Sequence, residues 1–182
     1  MTSAVYREDA GPPGDGGEGV QGDFTFGAGG DEDVVAFEYS GHAVGSGRVA
    51  ADRPGGSATI TTTPATDGPV SIEVSGVDRA GNRSPARSYR YWIRTTAPSV
   101  QMPIFQLGVP ADIVFTANQA GATAFVYTLD GGPEQTVPVG ADGTARFTHT
   151  PQSQGRLVVV VSSRTPDGTV PGQGSRVFYV SP

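Results

Sequence analysis

The sequence predicts an all-β protein: two tandem seven-stranded sandwiches. Three observations carry the prediction. Apolar and polar residues alternate with a period of two in short runs, as at Val70, Ile72 and Val74. Turn formers punctuate those runs, with 27 glycines and 15 prolines among 182 residues. The chain also repeats itself: Gly56-Ser-Ala-Thr-Ile-Thr-Thr-Thr-Pro64 reads onto Gly143-Thr-Ala-Arg-Phe-Thr-His-Thr-Pro151 at an offset of 87.

The same offset carries Gly68 onto Gly155, Val70/Ile72/Val74 onto Leu157/Val159/Val161, and Gly81 onto Gly168. It also carries Ser88 onto Ser175, Tyr91 onto Phe178 and Ile93 onto Val180. Upstream, Phe26 matches Phe115 at 89, and Phe37-x-Tyr39 matches Phe125-x-Tyr127 at 88. Small loop differences account for the drift, so the chain reads as two copies of one module, 1–96 and 97–182. The joint falls at RTTAPSV, where a proline stiffens a short linker.

In the first copy the strands are expected at 3–7, 22–28 with Phe26, and 33–40 with Phe37 and Tyr39. They continue at 43–50, 56–62, 69–78 with its valine and isoleucine alternation, and 86–94 with Tyr91. The segment GPPGDGGEGVQG, 11–22, has no apolar period and is expected to be a flexible surface loop. In the second copy the strands are expected at 99–105, 111–117, 122–129, 133–139, 143–149, 156–164 and 174–180. Between two of them, LDGGP supplies an Asp-Gly hairpin turn. Seven alternating strands per copy fit a two-sheet sandwich of the immunoglobulin or fibronectin type III kind. So small a domain has a thin core, filled here by Phe26, Phe37, Tyr39 and Tyr91, then Phe115, Phe125, Tyr127 and Phe178.

Composition excludes several chemistries. Cysteine is absent, which removes disulfides, thiolate metal sites and cysteine nucleophiles. All 12 basic residues are arginine, so neither Schiff bases nor lysine isopeptide cross-links form. The net charge of −6 argues against nucleic acid and anionic membrane as partners. No apolar run approaches a membrane span. The opening MTSAVYRED has no basic-then-apolar leader, and a start this close to a strand reads as an excised fragment.

The stretch VSIEVSGVDRAGNRSPARSYRYWI resembles the last two strands of bacterial immunoglobulin-like repeats, in which a strand leads into Asp-x-Ala-Gly-Asn-x-Ser. GDFTF…DVVAFEY and FVYTLDGG…DGTARFTHTP resemble repeats of large secreted actinobacterial proteins, and the arginine-only composition fits that source. The resemblance implies immunoglobulin-like or fibronectin type III-like modules acting as spacers, stalks or accessory domains, outside the cell or on its surface. Their partners would be neighbouring domains of a larger polypeptide or another protein. The second copy departs from the pattern, with RTPDGTV in place of the Ala-Gly-Asn turn.

No nucleophile–base spacing is present, so the chain reads as non-catalytic. Asp31, Asp33 and Asp78 fall on loops that share one end of a sandwich, where carboxylates can converge on Ca²⁺, the one cofactor the sequence suggests. The competing reading is a solvated acidic turn. Asn82 reads as a turn residue. On the outward faces alternation places Ser71, Glu73, Arg90, Trp92 and Glu38 in the first copy, with the charges able to pair across strands. The corresponding face of the second copy carries Val126, Val158, Val160, Val177 and Tyr179. Such an apolar face points to self-association or docking on a neighbour; the competing reading is that LVVVV is simply a strand of high β-propensity, partly covered by a loop. A glycan- or protein-binding module using Trp92 and Tyr179 is the alternative. Alternation sets Tyr89 and Trp92 on opposite faces, which weakens a flat glycan platform.

Overall fold

The computed structural model describes residues 1–166 and 172–182. The chain divides into two compact units, Met1–Thr95 and Thr96–Pro182. All regular elements described are β-strands.

In unit 1, β1 (Gly22–Gly27) pairs with β4 (Ser57–Thr62). The facing sheet has the order β3-β2-β5-β6, from β2 (Val34–Gly41), β3 (Gly45–Ala50), β5 (Gly68–Asp78) and β6 (Arg87–Ile93). Phe24, Phe26, Phe37, Ile72, Tyr89, Tyr91 and Ile93 fill the space between, each at most 3% exposed. In unit 2, β7 (Ser99–Gln101), β9 (Ala111–Thr116) and β12 (Thr144–His149) form a sheet of order β12-β9-β7. The other sheet, β11-β10-β13-β14-β8, takes β8 (Phe105–Gln106), β10 (Ala124–Leu129), β11 (Gln135–Pro138), β13 (Gly155–Arg164) and β14 (Gln173–Ser181). Its core holds Phe105, Ile113, Phe115, Phe125, Leu157, Val159 and Val161.

The repeat read in the sequence is a repeat of pairing. Phe26 faces Ala58 as Phe115 faces Ala145, and Tyr39 faces Val74 as Tyr127 faces Val161. Val70 faces Tyr91 as Leu157 faces Phe178. Even a surface contact recurs, Thr61 Oγ1 donating to Asp23 as Thr148 Oγ1 donates to Asp112. Each unit is an immunoglobulin-like or fibronectin type III-like β-sandwich. The Asp-Gly turn forms as expected, with Asp130 at φ 49° and Gly131 at φ 69°.

Three expectations need correction. Residues 3–7 are not a strand. Only Thr2 bridges β1, at Thr25, and the Tyr6 amide donates to Ser3 Oγ in a bend that turns the Tyr6 ring into the core. The 11–22 segment is not a free loop. It lies along the outer edge of β6 as a strap: Asp9 N donates to Arg90 O, Asp15 N to Trp92 O, and Arg94 N to Asp15 O. The Tyr6 hydroxyl donates to the Gly17 and Val20 carbonyls, and Arg7 grips Asp15 in a bidentate pair. Glycine is required at 16 and 22, where an added Cβ would run into the Tyr6 ring. The expected 99–105 strand divides at Met102-Pro103, because proline offers no amide to a ladder. Its first part stays with β9, and its second joins β14 in parallel, Phe105 beside Val180. Gly168, with most of its RTPDGTV loop, lies outside the described residues.

Candidate interaction surface

Strand alternation builds the outer face of the five-stranded sheet in unit 2. Because β13 buries Leu157, Val159 and Val161, it turns Val158 and Val160 outward. Burial of Phe125 and Tyr127 on β10 likewise turns Val126 outward, and burial of Val180 on β14 leaves Val177 and Tyr179 outside. Register sets Val158 opposite Val177, Arg156 opposite Tyr179, and Val160 opposite Thr128. The five residues expected on this face therefore share it. Val126, Val158 and Val160 are half-buried, while Val177 is 44% and Tyr179 75% exposed. A shallow groove of about 540 Å³ runs past Val126, Thr128, Glu134, Val160, Ser162 and Gln173.

Sequence reading missed Ile104, which is 88% exposed. The parallel pairing of Phe105 with Val180 sets the preceding position beside Tyr179, extending the apolar stripe to the sheet edge. Leu107 and Val109 follow in the next turn, also exposed. Among the described residues, every exposed large hydrophobic side chain belongs to unit 2.

The outer face of unit 1 is different. Glu38 pairs with Arg83 at 2.7 Å and sits 3.9 Å from Arg48, rather than joining Glu73 and Arg90. The reason is the β5–β6 turn, which folds back so that Arg83 bridges to Val77 beside β2. Trp92 is half-buried, with Pro69 directly opposite on β5 and the strap at its other edge. An added Cβ at Gly14 would fall 2.8 Å from the indole Cδ1.

Of the acidic residues suggested for Ca²⁺, Asp78 pairs in register with Val34, next to Asp33. Its two oxygens are occupied by the Asn82 amide N–H and side-chain Nδ2, both at 2.8 Å, confirming Asn82 as a turn residue. Those bonds hold the Asp78 carboxyl below its ordinary value. Asp31 accepts the Asp33 amide. No group of three or more His, Asp or Glu side chains suited to a metal forms among the described residues. The other depressed carboxyls also have local causes: Arg7 at Asp15, the Ser57 amide at Asp52, and the Thr144 amide at Asp142. His149 stands edge-on to Phe105, ring centroids 6.2 Å apart.

Fold and face together define a pair of immunoglobulin-like, fibronectin type III-like modules. No family model matches the sequence, and no curated protein does. Solved structures do match. The fibronectin(III)-like modules of CbhA from Clostridium thermocellum are 14% identical, covering 89% of this chain and 85% of that one, with a TM-score of 0.35. A red sea bream transglutaminase is 10% identical at a TM-score of 0.47, covering 98% of this chain and 32% of that one. A putative membrane-anchored protein of Corynebacterium diphtheriae is also 10% identical, covering 98% and 53%, at a TM-score of 0.49. The chain thus spans about a third and about half of the last two. Likenesses this distant say nothing about what the chain binds. Among the described residues no helix is long and apolar enough to cross a membrane.

Proposed function

We propose that this chain is a non-catalytic structural and interaction segment of a larger secreted or cell-surface protein of actinobacterial type. Its second module docks through the outer face of the five-stranded sheet. The observation that carries the reading is the stripe Val160, Val158, Val177 and Tyr179, apolar and outward on strands whose inward residues already complete a core, with exposed Ile104 just before β8. A stripe of this extent favours a contact surface, on a second copy of the chain or on a neighbouring domain. The equivalent face of the first module is polar, with Glu38 paired to Arg83 and Arg48, so the apolar docking face belongs to the second copy.

Val160→Glu tests the proposal. The side chain is half-buried and lines the groove, so a charge there opposes docking. Its cost to folding is about 1 kcal/mol or less, the span of strand preferences. Multi-angle light scattering of the native chain should show association that rises with concentration and is lost in the variant, at a nearly unchanged melting temperature. A monomer at every concentration for both proteins removes the self-association.

A further inference from the structure

We propose that the groove beside Trp92 in unit 1 is a carbohydrate site that takes a pyranose unit of a polysaccharide. The inference goes beyond the docking face, lies on the other module, and stands or falls without it. The groove measures about 420 Å³ and is bounded by Asp9, Ala10, Pro69, Ser71, Arg90 and Trp92. Its floor is the outer face of β5 and β6, where Pro69 lies opposite Trp92 and Ser71 opposite Arg90. Its wall is the strap.

The Trp92 position is flanked by Pro69, opposite it in register on β5, and by the backbone of Gly14, which runs close to the indole Cδ1. Gly14 is at φ 89° and leaves no room for a side chain against the indole Cδ1 or the Trp92 carbonyl. The ring is therefore oriented before any ligand arrives, which lowers the ordering cost of binding. The Asp9 backbone is set beside β6: its amide donates to Arg90 O at 2.7 Å, at a left-handed φ of 56°. No ion pair with another described residue engages Asp9 or Arg90. The carboxylate, guanidinium and Ser71 hydroxyl thus border one aromatic ring, as acceptor, donor and both.

That combination suits a ligand with an apolar face and a polar rim. The C–H face of a pyranose covers an aromatic ring while its equatorial hydroxyls reach outward to side-chain partners. Other ligands fit less well. Unit 1 carries eight arginines against thirteen acidic residues, which repels nucleic acid. The groove is open and shallow, whereas a compact apolar molecule needs an enclosed pocket. One outward ring is too few for a flat multi-ring glycan platform or for a proline-rich peptide, which docks across an aromatic-lined groove, but it is enough to cover a single pyranose unit.

Trp92 is the only tryptophan in the chain, so its fluorescence reports the site without labelling. The experiment titrates the full chain with cellohexaose, xylohexaose, mannohexaose, maltohexaose and chitohexaose, each to about 10 mM, with calorimetry in parallel. At least one sugar should shift the emission to the blue. Arg90→Ala, which leaves the indole in place, should weaken that binding about tenfold, and calorimetry on Trp92→Ala should show a loss at least as large. Ser46→Ala, on exposed β3, should bind as the native chain does. An unchanged emission with all five sugars overturns the proposal. So does a shift that Arg90→Ala leaves untouched, or one given by a proline-rich peptide and by none of the sugars.

Discussion

In the first unit the leading chain runs from the Thr2–Thr25 bridge at position 2 to the Asp15–Ile93 bridge at position 15. In the second it covers the same ground between Gln101, beside Val114, and Phe105, beside Val180. Both routes leave one sheet, cross the open side of the sandwich, and join the last strand of the other in parallel. The longer route makes room for Tyr6. That ring stacks on Phe24 at 5.8 Å and lies 5.4 Å from Tyr91, and its carbonyl accepts the Tyr89 hydroxyl at 2.8 Å. The shorter route delivers Phe105 to the core instead and leaves Ile104 outside, next to Tyr179. Extra chain thus gives unit 1 a closed, aromatic, hydrogen-bonded side, while its absence gives unit 2 an exposed apolar one.

The largest expected effect in this comparison is that of Tyr6→Ala. Deleting a fully buried aromatic costs about 3–5 kcal/mol, and here it also removes the anchor of the strap. In denaturant, the transition of unit 1 should move to markedly lower concentration while that of unit 2 stays in place. Equal movement of both would show that the two cores unfold as one.

Alkali sharpens the same contrast. Burial, before any other cause, raises the hydroxyl pKa values of Tyr6, Tyr89 and Tyr91 above the ordinary 10.0, with Tyr91 raised furthest. The Tyr91 hydroxyl is buried without a hydrogen-bond partner among the described residues. The folded state keeps these protons after the unfolded chain has released its own. Stability is therefore complete below about pH 10 and falls as pH rises through the folded values. Unit 2 has one such group, Tyr127. Circular dichroism with tyrosinate absorbance should show unit 1 failing at a lower alkaline pH than unit 2.

The smallest effect is expected from Glu38→Gln. Both arginine partners are more than half exposed, so solvent screens the pairs and the loss should stay within about 1 kcal/mol. A larger change in chemical denaturation would mean that the charged face of unit 1 contributes to its folding.

These contrasts were unequally legible in the sequence. Strand positions and pairing register could be read because each strand is buried on one face, so alternation at Val70, Ile72 and Val74 already fixes which side meets the core. The outward positions of Trp92 and Tyr179 followed from the same parity. The Asp78–Asn82 turn was readable because its bonds are local. The strap was not, because its glycines carry no apolar period and its hydrogen bonds go to β6, far along the chain. Tyr6 was hidden for the same reason, since its hydroxyl partners lie across the strap. Ile104 escaped because a strand was assumed to continue through Pro103, and the change of sheet reset which residues face outward.

The parallel pairing of β8 with β14 has a mechanical side. In unit 2 β8 and the last strand, β14, run in the same direction, so tension applied at the two ends of the module pulls them past each other lengthwise. The bonds at Phe105–Val180 and Gln106–Ser181 then share the load together instead of opening one at a time. In unit 1 the Asp15–Ile93 bridge takes that position, backed by the Arg7–Asp15 pair and the anchored Tyr6. The chain segment that closes each sandwich is also the one that would resist its being drawn out.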